Sequence, residues 1–213
     1  MPRRRPHPAR RPERRRFLAA TIGTLAIASV LALAPRFALA EAFDLGALTA
    51  LLGRVKSGEA TFTEKRRVEM LDRTLESSGR LVFRAPDTFI RETLKPRREK
   101  LEVNGNVLTM SLGERSRTMQ LDSAPEAAVI VEAIRGTLTG NRESLERLFE
   151  ASVSGSAQQW SLELVPRDLR LRGQVSAVQV SGREGAAREV QVQLADGDRS
   201  IMTIEPVAAR APS

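Results

Sequence analysis

The sequence predicts a mainly β protein with helices. The expected fold is α+β: an incomplete antiparallel β-barrel with an N-terminal helix and a helical lid. Three observations carry this. The stretch 79–110 reads as short alternating strands broken at Ala85-Pro86-Asp87, at Lys95-Pro96-Arg97 and at Asn104-Gly105. The same rhythm returns from Trp160 onward. Between the two β stretches the apolar period changes to a helical one.

In chain order, residues 42–56 carry Phe43, Leu48, Leu51, Leu52 and Val55 at helical spacing, and Ser57-Gly58 ends that helix. Residues 59–71 alternate as a strand, and 74–84 return antiparallel, with a bulge expected at Ser77-Ser78-Gly79. Asn104-Gly105 is the strongest hairpin signal, read as a type I′ turn. Residues 107–112 and 117–121 make a further hairpin around 113–116. Ser123 reads as a helix N-cap with Pro125 in the first turn, and Arg135-Gly136 as the end of that helix. A second short helix follows over 141–148, capped by Asn141. Strands at 160–165, 175–181, 188–194 and 200–204 complete about ten strands.

The first forty residues have another character. An arginine- and proline-rich arm precedes an apolar run, and Ala38-Leu39-Ala40 is a small-x-small cleavage site. These predict a secretory signal peptide over 1–40, cleaved after Ala40, and a periplasmic product. Arg14-Arg15-Arg16-Phe17-Leu18 fits the twin-arginine pattern, with ordinary Sec export as the alternative. The expected domain is 41–204, followed by a flexible tail over 205–213.

Residues 1–40 hold nine arginines and one glutamate, which is the whole of the formal +8 charge. The rest is balanced, so a nucleic-acid partner is not expected. The chain has no cysteine and no tyrosine, and its single histidine is His7. Thiolate and imidazole chemistry is therefore not expected of the mature part. No enzyme activity, metal or cofactor is expected, and the protein is expected to be a monomer.

The sheet offers one apolar face. Candidates to line a cavity are Phe62, Leu81, Phe83, Phe89, Leu101, Val103, Leu108, Met110, Met119, Leu121, Trp160, Leu162 and Leu164. The alternative reading makes that same face an ordinary core. Lid candidates are Val129, Ile130, Ala133, Ile134, Leu145 and Leu148. Two helices inserted into a β meander can cover an open barrel mouth, which suggests a cavity for an apolar ligand.

Ala60-Thr61-Phe62-Thr63-Glu64 after an amphipathic helix, then Ser78-Gly79-Arg80-Leu81-Val82-Phe83-Arg84-Ala85-Pro86-Asp87-Thr88-Phe89, resemble the LolA-type periplasmic carriers of outer-membrane lipoproteins. Pro96, Val103-Asn104-Gly105, Leu164-Val165-Pro166 and Asp196-Gly197-Asp198 continue the resemblance. It implies a lidded half-barrel that shields lipoprotein acyl chains between an inner-membrane donor and an outer-membrane acceptor. Another lipid, or a lipid-sensing role, is the alternative. An exposed chain of ~16 carbons costs roughly 12 kcal/mol at ~0.8 per CH₂, so such a carrier must cover most of it. In these carriers an arginine just before the proline holds the lid closed. Here Ala85 stands at that place and Arg84 precedes it. One step along a strand reverses the face, so Arg84 and Arg91 are both carried as latch candidates.

Overall fold

The structure, a computed structural model, describes residues 43–207. The expected signal peptide and residues 208–213 of the expected tail lie outside the described residues.

The chain opens with α1 (Leu45–Leu52), whose first turn is capped by Asp44 accepting the Ala47 N–H at 2.8 Å. Strands β1 (Ser57–Val68) and β2 (Arg73–Arg84) form a long hairpin. Then come β3 (Thr88–Lys95), β4 (Glu99–Asn104), β5 (Val107–Leu112) and β6 (Arg115–Gln120). Helices α2 (Pro125–Thr139) and α3 (Arg142–Leu148) interrupt the sheet. The second β stretch is β7 (Phe149–Ser156), β8 (Gln159–Pro166), the short α4 (Leu169–Arg172), β9 (Val175–Arg183), β10 (Ala186–Leu194) and β11 (Arg199–Pro206).

All eleven strands form one antiparallel sheet in the order β6-β5-β4-β3-β2-β1-β11-β10-β9-β8-β7. The last strand returns to pair with the first, so the two meanders fuse along β1 and β11. β6 and β7 are the free edges and do not pair, so the sheet is an unclosed half-barrel.

The helices divide the concave face. Over β7–β10 they seal a core in which Leu48, Leu52, Val129, Ala133 and Leu145 meet Phe149, Trp160, Leu162, Leu164, Val178 and Val180. A smaller cluster joins Val103, Leu108 and Leu121 to Ala127, Ala128 and Val131 of α2. α2 therefore bridges the two halves of the sheet, with a core on either side.

Several elements differ from expectation for identifiable reasons. β7 is absent from the expected strands because only Phe149 among its inward residues is large, and Ala151, Val153 and Gly155 give a weak apolar signal. α2 runs through Gly136 and stops at Gly140, whose φ is +66. Gly136 marks a close helix contact: a Cβ there would stand 2.6 Å from a methyl of Leu145 on α3. Ala124, not Ser123, is the N-cap, and the Ser123 hydroxyl donates instead to the Gln120 carbonyl at 2.7 Å. The β4–β5 loop is Gly105-Asn106, one residue later than expected, and only Gly105 has positive φ. The bulge at Ser78/Gly79 is present, in the register with β3. β11 reaches Pro206, which pairs with Ala60, so residues 205 and 206 are strand rather than tail.

Candidate functional site

A cavity of about 1850 Å³ runs between α2 and the concave face of the open half of the sheet. Small-molecule pockets are typically ~300–1,000 Å³. Strand register builds its wall in rows, because directly paired residues of an antiparallel sheet share a face. One row is Phe83, Phe89, Val103, Leu108 and Met119. The next is Ala60, Leu81, Arg91, Leu101 and Met110. Phe83 and Phe89 stack with ring centroids 5.2 Å apart. From the far side Val190, Val192, Met202 and Ile204 of β10 and β11 complete the wall. α2 roofs the space with Ala127, Ile130, Val131, Ile134 and Leu138.

Of the candidates named from sequence, Leu81, Phe83, Phe89, Leu101, Val103, Leu108, Met110 and Met119 lie on this wall. Phe62, Leu121, Trp160, Leu162 and Leu164 do not. Trp160, Leu162 and Leu164 are sealed under the helices, and the Trp160 Nε1–H donates to the Glu184 carbonyl at 2.8 Å. Trp160 faces Gly155 on one neighbouring strand and Gly182 on the other. A Cβ on Gly182 would meet the indole at 2.4 Å, so that glycine belongs to the Trp160 contact and not to a turn. Leu121 is buried in a 3₁₀ turn below the α2 entrance. Phe62 has the inward face but is covered by the Arg91 guanidinium, 4.8 Å from its ring centroid. Among the lid candidates, Ile130 and Ile134 face the cavity. Val129, Ala133, Leu145 and Leu148 instead anchor the helices in the core.

Neither latch candidate hydrogen-bonds to α2 among the described residues. Arg84 shares the outward alternation with Val82 and is exposed at the rim. Arg91 faces inward, but its Nη2 is held by the Glu64 carboxylate at 2.5 Å and approaches the Ser77 hydroxyl at 3.2 Å. The bond between lid and sheet comes from the lid. Arg135 of α2 donates Nη2–H to the Gly105 carbonyl in the β4–β5 turn at 2.6 Å and pairs with Glu132 one turn back. That turn is tied to the root of α2 as well, since the Leu121 N–H donates to the Asn106 carbonyl at 2.8 Å. An i,i+3 Glu132–Arg135 pair gives no sequence signal beyond an ordinary helix-surface pair, so Arg135 was missed.

Charges enter the wall toward one end. Along β1 the inward residues are Gly58, Ala60, Phe62, Glu64 and Arg66. Glu64 accepts from Arg91, from Ser77 at 3.0 Å and from Ser200 at 2.5 Å. Burial alone would raise its pKa; the Arg91 charge and these hydrogen bonds outweigh it and hold the carboxyl below its ordinary value of 4.5. Glu64 therefore contributes stability above that value, and the contribution is lost as pH falls through its lower folded pKa. Urea midpoints recorded from pH 7 downward are expected to fall in the acid range below about 4.5, less steeply in Glu64→Gln. Identical slopes for the two proteins would contradict the role of Glu64. Nearby, Asp198 accepts the Glu69 N–H at 3.0 Å and Arg66 Nη2–H at 3.0 Å, and both hold it below the usual aspartate range.

The family model described as "Outer membrane lipoprotein carrier protein LolA-like" matches residues 37–212. Solved structures resemble the chain at low identity. A LolA superfamily protein from Nitrosomonas europaea is 9% identical with TM-score 0.43, over 79% of this chain and 95% of that one. A DUF1329 family protein from Desulfovibrio piger is 9% identical with TM-score 0.44, over 78% and 92%. A domain from Vibrio parahaemolyticus, described as a putative outer membrane lipoprotein-sorting protein, is 10% identical with TM-score 0.37, over 73% and 87%. The search of curated proteins gave no match.

Proposed function

This chain belongs to the LolA-like family of outer membrane lipoprotein carrier proteins, and on that premise we propose that its cavity shields lipoprotein acyl chains in the periplasm. The cargo would pass from an inner-membrane donor to an outer-membrane acceptor. The observation that carries the reading is the pair of rows around Phe83 and Leu81, apolar but for Arg91, roofed by Ile130 and Ile134 of α2. A covered apolar trough removes acyl methylenes from water at ~0.8 kcal/mol each. Its rim stays open to solvent, so nothing need unfold for release. The chain is a carrier and not an enzyme.

α2 is the element that must move. It is anchored in the core through Val129 and Ala133, while Arg135 ties it to the β4–β5 turn. A hydrogen bond from a charged donor contributes about 1.5–3 kcal/mol. Arg135→Leu is expected to raise amide exchange in α2 about tenfold or more and to speed cargo release. Unchanged exchange in α2 would remove Arg135 from the latch role.

Residues 1–40 are read as the export signal. The test of the whole reading is isolation of the protein from the periplasm, with N-terminal sequencing and mass spectrometry of bound material. A start at Glu41 with co-purifying lipoprotein supports it. Free lipid in its place supports the same cavity with a different client. No bound amphiphile, and none taken up on addition, would contradict the carrier reading.

A further inference from the structure

Two arginines, Arg91 and Arg66, face inward at the Glu64 end of the cavity, and each is paired with a carboxylate. The Arg91 guanidinium lies over Phe62, 4.8 Å from the ring centroid. Gly79, opposite Phe62 on β2, leaves that ring its place: a Cβ there would stand 1.9 Å from the Glu92 carbonyl oxygen and 2.9 Å from Phe62. Glu64 and Ser77 hold the Arg91 Nη2. Arg66, one further inward position along β1 from Glu64, is held by Asp198 at 3.0 Å.

Each carboxylate in this cluster is already engaged by an arginine. Glu64 Oε2 takes Arg91 and Ser77, and its Oε1 takes Ser200. Asp198 takes Arg66 and the Glu69 N–H. The donors are not spent. Arg91 Nε is buried without a partner, and neither Arg91 Nη1 nor Arg66 Nε and Nη1 makes a hydrogen bond among the described residues. A buried guanidinium nitrogen left unpaired is costly. A fixed fork of unspent guanidinium donors is matched by a planar or tetrahedral oxyanion.

We infer that the Glu64 end of the cavity is a head-group subsite, and that the cargo is an amphiphile with an anionic head, a carboxylate or a phosphate. Its head sits at Arg91 and Arg66 and its chain runs along the Leu81 and Phe83 rows toward α2. This rests on the reading of the cavity as an acyl-chain carrier, and it favours a free anionic lipid over a lipoprotein, whose acylated end is neutral, as the client.

The test is titration of the purified protein with palmitate, with palmitoyl lysophosphatidylglycerol and with monopalmitoylglycerol, which has a similar chain and no charge. At least one anion is expected to bind about tenfold tighter than monopalmitoylglycerol or more. The tighter of the two distinguishes a carboxylate from a phosphate source. Removing Arg91 alone would strand Glu64, so the variants are the paired Glu64→Gln/Arg91→Gln and the half-exposed Arg66→Gln. Both are expected to lose most of the preference for the anion over monopalmitoylglycerol, with circular dichroism reporting an intact fold. Equal binding of all three probes, or a preference that survives in both variants, would overturn the head-group subsite and leave the carrier reading standing. Binding of none of the three would overturn both.

Discussion

Phe83→Glu is expected to abolish retention of a long-chain amphiphile while the sheet stays folded. Phe83 is 8% exposed, stands in the apolar row nearest α2 and stacks on Phe89. It belongs to the cavity wall and to neither packed core cluster. In the empty protein the new carboxylate faces a space that water enters, so it keeps much of its hydration. In the loaded protein it would have to be stripped of water against an acyl chain, with no cation in its row. Loss of the aromatic contact alone is worth about 1.5–3 kcal/mol, and the desolvation adds to it, so affinity should fall about a hundredfold or more. Phe83→Leu, which keeps the wall apolar, should fall far less. Calorimetric titration, with circular dichroism to verify folding, measures both. Wild-type affinity in a folded Phe83→Glu protein would remove this row from the binding surface.

Trp160→Ala is expected to act in the opposite way, on stability and not on the cavity. The indole is 1% exposed, fills the space left by Gly155 and Gly182 on the strands either side, and donates to the Glu184 carbonyl. Truncation creates a large void and leaves that carbonyl without its donor. The expected cost is about 3–5 kcal/mol, a large share of a typical domain's stability. Denaturant midpoints measure it. Affinity measured in the fraction that remains folded should change little, because Trp160 does not reach the cavity wall. A variant as stable as the parent would show that the helices do not seal this half of the sheet.

These two residues show how far the sequence could be read. Phe83 and Trp160 have the same signature, an aromatic on the inward alternation of a strand. Only the placement of α1, α2 and α3 over β7–β10 makes one a wall residue and the other a core residue. Helix docking is a long-range outcome that no local period encodes, and the same reason put Leu162 and Leu164 among the cavity candidates. Hairpins were legible where the loop residues are diagnostic, as at Gly105 and at Asp196-Gly197. The serine-rich β7 was not, because its inward positions are mostly small. Met202 and Ile204 share one face of β11 and could have been named as wall residues, although Ile201 beside Met202 blurs the alternation. Arg135 could not. A helical arginine shows its partner only when the helix is set against the β4–β5 turn.

The central claim, that the space under α2 takes up an acyl chain, is tested most directly by chain-length dependence. Saturated fatty acids from about 8 to about 16 carbons, titrated below micelle formation, should gain about 0.8 kcal/mol per methylene, roughly fourfold in affinity, until the trough is filled. The gain should vanish in Phe83→Glu. An affinity independent of chain length, or a slope unchanged by that substitution, would contradict it.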